Sequence, residues 1–253
     1  MPLLQVKEVS RHFGGLTAVD KVTLNVEEGE ILGIIGPNGS GKTTFFNLLS
    51  GFLKLSHGEI LYQGKSINGL KPHTIAKKGI IRTFQQNNVY RGETVLANVM
   101  LACRLQDHVG FWGTLFNMSR YRQEEEDKKE EATKIINDIG LRDNIHNLAR
   151  NLSHGQQRLL GIAMALACKP KLLLLDEPVS GLSLEEMHAI MEKIKEIKKW
   201  GITIILVEHE MRMVMNICER LIVLTFGRKT AEGTPEQIKR NAKVIEAYLG
   251  TEQ

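Results

Sequence analysis

The stretch Gly36-Pro37-Asn38-Gly39-Ser40-Gly41-Lys42-Thr43 decides how the rest of this chain is read. It fits G-x-x-x-x-G-K-[ST], and each fixed position has a physical reason. The glycines reach backbone angles that turn successive N–H groups inward, where they can cradle phosphate oxygens. Lys42 brings a point charge to the β- and γ-phosphates, and the Thr43 hydroxyl can ligate Mg²⁺. A helix beginning at this point aims its positive dipole end at the same anion. The flanks agree: residues 30–35 read as a buried strand and residues 44–50 as a helix. By itself, this strand–loop–helix unit specifies a nucleotide and leaves open what is done with it.

Working outward, residues 171–177 form an apolar run ending in Asp176 and Glu177, and Thr203-Ile204-Ile205-Leu206-Val207 forms another, ending at Glu208-His209. Residues 221–224 read as a further strand. Helices are expected over residues 156–167 and, with strong amphipathic spacing, over Leu184–Lys199. Continuous apolar runs alternating with helices indicate a parallel sheet covered on both faces. Upstream, residues 4–9 and 19–26 alternate like half-buried strands, with a turn expected at residues 11–15. Residues 56–65 read as a return to the same small antiparallel sheet, residues 75–79 as a short helix, and residues 80–84 as a strand ending at Gln85-Gln86. From Thr94, which can cap a helix, to residue 149 the pattern is helical, with an apolar cluster at residues 111–116 and a solvated charged face at residues 124–131.

Ligands of open α/β sheets sit at the carboxyl ends of the strands. Asp176 can hold Mg²⁺ there, directly or through water, and Glu177 can polarise a water that attacks the γ-phosphate. His209 and Gln85 end two other strands, and each suits either phosphate chemistry or a plain polar loop. Phe13 lies shortly before the loop. It can stack on adenine or fill a core. The segment Leu152-Ser153-His154-Gly155-Gln156-Gln157-Arg158 opens a helix and makes a second anion-binding feature. One nucleotide has no evident need of two such helix ends. A dimer uses both, with each nucleotide held between the loop of one subunit and this segment of the other.

Composition narrows the classes. A chain of 253 residues with 42% hydrophobic content can bury a sizeable core, and a net charge of +4 without a basic stripe argues against nucleic acid. Cys103, Cys168 and Cys218 are far apart and form no C-x-x-C pair, so neither a metal site nor a disulfide framework is indicated. The first residues do not read as a signal peptide, and no apolar run approaches the ~18 residues needed to span a bilayer. The expectation is a soluble chain that another protein must hold if it works at a membrane.

The set of motifs, in this order, resembles the ATPase subunits of ABC transporters over almost the whole chain. The resemblance implies an α/β fold: a P-loop NTPase, RecA-like core with a mainly parallel sheet, an N-terminal antiparallel β subdomain and an inserted helical subdomain. It implies one ABC ATPase domain over residues 1–253, with residues 1–93 and 156–253 forming the core and residues 94–155 the helical subdomain. Phe13 falls at the adenine-stacking aromatic. Gly36, Pro37, Asn38, Gly39, Ser40, Gly41, Lys42 and Thr43 form the Walker A loop, with Thr44 near the phosphates. Gln85 is the Q-loop glutamine, a Mg²⁺ and water ligand. Ser153, His154, Gly155 and Gln156 lie in the signature motif that binds the opposing subunit's ATP. Asp176 is the Walker B acid, Glu177 the catalytic glutamate and His209 the switch histidine. The implied cofactors are ATP and Mg²⁺, the latter held by Thr43, Gln85 and Asp176.

Two positions depart from the family pattern: His154 stands where glycine is usual, and Ser183 where many members have aspartate. With Arg82-Thr83-Phe84-Gln85 and the tail from Gly233, they resemble the LivG-type branch, which powers import of branched-chain amino acids. That branch implies a second ATPase subunit, identical or not, two membrane permeases and a substrate-binding protein outside. It places the chain peripherally on the cytoplasmic face of the inner or plasma membrane. Urea-import ATPases share much of this pattern, and an exporter of lipid-like cargo is a rival within transporters. A soluble ABC-type protein of DNA repair or the ribosome is the distant alternative, since those carry long coiled-coil insertions or two cassettes.

Overall fold

The computed structural model describes residues 1–83, 89–104, 118–242 and 244, except for the side chains of residues 118–122. Gln85, the apolar cluster at residues 111–116 and the tail residues 243 and 245–253 therefore lie outside the described residues.

Strands β3 (Ile31–Ile35), β7 (Leu172–Asp176) and β8 (Thr203–Val207) are buried at every position, as expected of parallel strands covered on both faces. With β6 (Ile80–Arg82), β9 (Arg220–Thr225) and β10 (Arg228–Gly233) they form a six-stranded sheet in the order β10-β9-β3-β8-β7-β6. All its pairings are parallel except β9–β10. A second sheet of four antiparallel strands has the order β2-β1-β4-β5, from β1 (Leu4–Phe13), β2 (Leu16–Val26), β4 (His57–Tyr62) and β5 (Lys65–Ser66). The turn expected at residues 11–15 is shorter than its sequence suggests. Pairing of Arg11 with Val19 and Phe13 with Leu16 carries β1 to Phe13, leaving Gly14 and Gly15 as the turn.

The pleat divides the core in two. Ile31, Ile35, Leu173, Leu175, Ile204 and Leu206 face one side, against helices α3 (Val95–Arg104), α5 (His154–Ala167), α6 (Leu184–Lys199) and α7 (Met211–Ile217). Their strand neighbours Leu32, Ile34, Leu172, Leu174, Ile205 and Val207 face the other, with Phe45 and Phe46 of helix α1 (Lys42–Leu49) and the interior face of the antiparallel sheet. Helix α1 is thus gripped between two sheets. Each of its fully buried phenylalanines contributes roughly 1.5–3 kcal/mol, and this fixes the loop that precedes it. Two further helices are α2 (Pro72–Lys77), which leads into β6, and α8 (Pro235–Lys239), which follows β10. Helix α4 (Met118–Asp138) packs with α3 and α5.

Helix α6 follows its sequence signals closely. Ser183 and Glu186 form a capping box, Glu185 and Glu186 occupy the first turn, and Lys198 and Lys199 the last, complementing the dipole. Met187, Ile190, Met191, Ile194 and Ile197 form its buried stripe.

Candidate functional site: a phosphate loop beside an acidic strand edge

The parallel register brings the carboxyl ends of β3, β8, β7 and β6 to one edge of the sheet, with Ile34 opposite Val207, Asp176 opposite Val207 and Arg82 opposite Leu174. Gly36 to Lys42, the residues after Asp176, and Glu208-His209 all leave the sheet here.

The loop closes on its own lysine. Lys42 is buried, and its Nζ donates to the Gly36 carbonyl at 2.6 Å and the Pro37 carbonyl at 2.9 Å. Burial lowers the ammonium's pKa, and the Glu177 charge acts in the opposite direction. Two glycines are sterically required. A Cβ on Gly36 would stand 2.1 Å from the Leu224 carbonyl oxygen. Gly41, at φ 99° as the N-cap of α1, would bring a Cβ to 2.3 Å from the Ala18 carbonyl. The loop is braced by Gly227, whose N–H donates to the Ser40 carbonyl at 3.0 Å. The Ser40 hydroxyl is buried and makes no hydrogen bond among the described residues.

The amino end of α1 differs from the other helix starts. Capping boxes close α5, α6 and α8, Glu210 accepts from Arg212 N–H at α7, and α2 begins with Pro72, which has no N–H. Gly41 offers no side chain, and α1 has no acidic residue in its first turn. Its orphan N–H groups, the Ser40 hydroxyl and the exposed Thr43 and half-buried Thr44 together form a cradle suited to an anion.

The acidic edge is held by cations and backbone. Asp176 Oδ2 accepts from Arg82 Nη2 at 2.7 Å, while Arg82 Nη1 reaches Asn47 Oδ1 and Ser50 Oγ on and after α1. Glu177 sits at φ 47°, a region sparsely populated by non-glycine residues, and its N–H donates to the Val207 carbonyl at 2.9 Å. Backbone conformations of this kind cost of order 1–3 kcal/mol and cluster at functional sites. His209, half exposed, places Nδ1 3.8 Å from Glu177 Oε1, so the two are neighbours without a hydrogen bond.

Sequence reasoning passed over three members of this site. Glu208 is fully buried, accepts the N–H of Val179 on Oε1 and those of His209 and Glu210 on Oε2, and has its pKa raised by burial. Its position at the end of an apolar strand was the available signal. Arg158 on α5 has its pKa lowered by burial, against the charges of Glu208, Glu177 and Asp176. Arg82 could be found only from the pairing of β6 with β7.

The remaining candidate residues are placed as follows. Phe13 ends β1 and is 42% exposed, which excludes the core reading; Arg11 covers its ring with the guanidinium carbon 4.5 Å from the centroid. Ser153 caps α5 by accepting from Gln156 N–H, and the Gln156 side chain accepts from Ser153 N–H. His154 is exposed. Among the described residues no group of three or more His, Cys, Asp or Glu side chains could hold a metal by itself. A cation here must share its shell with phosphate oxygens and hydroxyls, as Mg²⁺ commonly does.

A lysine-clasped loop before an uncapped helix, with carboxylates at the adjacent strand ends, defines a P-loop nucleotide-binding protein. Residues 19–180 match the ABC transporter family, and residues 231–253 match the branched-chain amino acid ATP-binding cassette transporter family. The chain is 40% identical over 250 residues to the high-affinity branched-chain amino acid transport ATP-binding protein LivG of Escherichia coli (strain K12), covering 98% of each. It is 39% identical, with the same coverage, to the BraF protein of Pseudomonas aeruginosa, which carries the same description. The ADP conformation of MJ1267, an ATP-binding cassette of an ABC transporter, superposes with a TM-score of 0.87 at 33% identity over 99% of both chains. The dimeric structure of MJ0796, a bacterial ABC transporter cassette, gives 0.77 at 28% identity over 92% of this chain and 98% of that one. This chain belongs to the ABC transporter family and is one of its ATP-hydrolysing cassettes.

Proposed function

We propose that the chain is the motor subunit of an importer of branched-chain, hydrophobic amino acids. The observation that carries the mechanism is the meeting, at one sheet edge, of the Lys42 loop and the Asp176-Glu177 pair, with the Glu177 charge acting on the Lys42 ammonium. The cargo follows from the printed names of the relatives and from the family match at residues 231–253.

In this reading Phe13 offers its free face to adenine, and residues 36–43 with Thr44 wrap the phosphates. Lys42 exchanges its carbonyl partners for phosphate oxygens. Thr43, Gln85 and Asp176 hold Mg²⁺, which supplies charge neutralisation to the phosphates. Glu177 takes the proton of the attacking water, and His209 approaches the γ-phosphate from the next strand end. Ser153, His154, Gly155 and Gln156 meet the nucleotide of a second ATPase subunit, so that two ATPs bind two subunits together. Residues 94–155 form a helical subdomain between the core and membrane-embedded permeases, at the cytoplasmic face of the membrane. An external binding protein delivers the cargo. Among the described residues no helix is long and apolar enough to cross a membrane, which accords with partners doing so.

The test is reconstitution with the cognate permeases in ATP-loaded vesicles. ATP-dependent movement of leucine is expected. ATP turnover with urea moved and leucine excluded would overturn the cargo, and absent turnover would overturn the motor.

A further inference from the structure

The donors at the start of α5 already hold an anion from the same chain. Glu186, in the first turn of α6, turns its carboxylate to both helices. Oε1 accepts from the Ser153 hydroxyl at 3.0 Å and from Gly155 N–H at 3.1 Å. Oε2 accepts from Ser183 N–H at 3.2 Å and lies 3.3 Å from the Ser183 hydroxyl. The fit depends on Gly155: a Cβ there would stand 2.8 Å from Glu186 Oε1 and 2.9 Å from its Cγ. The Ser153 hydroxyl accepts from Gln156 N–H, and its single proton goes to Glu186. These donors hold the carboxylate of Glu186 below the usual range, Gly155 N–H contributing most.

We infer that Glu186 is a built-in competitor for the donors of the 153–156 segment, occupying the place that the terminal phosphate of the facing subunit's nucleotide must take. The inference rests on the two-subunit reading above. A hydroxyl has one proton, and two anions cannot share it with one backbone N–H without strong like-charge repulsion. Closure of the pair therefore requires Glu186 to release Ser153 and Gly155, while its other oxygen can stay on Ser183. Carboxylate and phosphate exchange on the same two donors, and the contact between α5 and α6 is broken as the contact between subunits is made. Because the carboxylate is only partly buried, it has water to turn to when released.

The experiment measures the ATP concentration that half-dimerises the hydrolysis-blocked Glu177→Gln protein, by sedimentation, alone and combined with Glu186→Ala or Glu186→Gln. Removing the competitor should lower that concentration about tenfold for alanine, equivalent to ~1.4 kcal/mol, and by a smaller factor for glutamine, which keeps an uncharged acceptor. ATP affinity of the dilute monomer should stay the same. A role limited to tying α5 to α6 lowers thermal stability and leaves the ATP requirement unchanged or raised, and that result would overturn the inference. The glutamine variant preserves shape should the alanine variant fold poorly. If the Glu177→Gln parent stays monomeric in ATP, the two-subunit reading falls and takes this one with it. If the parent dimerises and the Glu186 variants need no less ATP, only the role of Glu186 falls.

Discussion

Arg82 Nη2 lies 2.7 Å from Asp176 Oδ2, with both side chains only 6% exposed, so the acid that ends β7 is neutralised by a cation from the neighbouring strand. Arg82 also stands over the Phe46 ring at 5.6 Å and bonds Asn47 and Ser50, linking β6, β7 and α1. Removing one partner of such a buried pair strands the other charge. Arg82→Ala is expected to cost ~3–5 kcal/mol in urea denaturation. Arg82→Lys should recover only part of this, because an ammonium cannot reproduce the forked geometry.

Glu177 is expected to act in the proton transfer and not in holding nucleotide. Glu177→Gln should leave ATP affinity intact while slowing hydrolysis by roughly 10²–10⁴. Near-normal turnover would remove Glu177 from that role.

Lys42 is already desolvated and held by two carbonyls, so binding exchanges partners and needs no fresh burial of the charge. Lys42→Ala should weaken ATP binding by calorimetry. Unchanged affinity would refute the phosphate contact.

Glu208 links the chain after Glu177 to the chain around His209 through its bonds with Val179, His209 and Glu210. Burial raises its pKa above the ordinary 4.5, so the folded state holds this proton more tightly than the unfolded chain. Its contribution is therefore most favourable below pH 4.5 and declines as pH rises through the folded value. Glu208→Gln removes that decline, and its stability relative to the parent should improve on raising the pH from 4.5. Glu208→Ala leaves buried N–H groups without acceptors at ~1–3 kcal/mol each. Unfolding curves across this pH range test both.

Phe46 should cost ~3–5 kcal/mol when replaced by alanine, because it is fully buried between the two sheets. The phosphate loop, anchored by the same helix, should lose nucleotide affinity in parallel.

The parts of the fold legible from sequence were those whose signals are local. Strands β3, β7 and β8 announced themselves as apolar runs, and α6 was bounded by Ser183 and Lys199 because its cap, stripe and charges all agree. Helix α5 begins two residues before its expected start at residue 156, since Ser153 is the cap and His154 the first helical residue. Strand β10 carried no signal: Arg228-Lys229-Thr230-Ala231-Glu232-Gly233 is a strand through its pairing with β9 at the sheet edge. Helix α7 is too short for a clear period. At the site, Lys42, Asp176 and Glu177 were legible from motif and strand end. Arg82, Arg158 and Glu186 matter through partners distant in the chain, and no spacing within one element reveals those.

The bare amino end of α1 has a thermodynamic consequence. Among the α-helices whose N-cap is described, every other start is closed by a side chain or by proline, so this helix is completed by what binds it. Ligand is then a missing piece of the folded state, and the melting temperature becomes a gauge of occupancy. At a hundred times its dissociation constant, a nucleotide adds ~2.7 kcal/mol by mass action. Heat capacity scans at graded ATP therefore read the affinity of the site without reference to turnover.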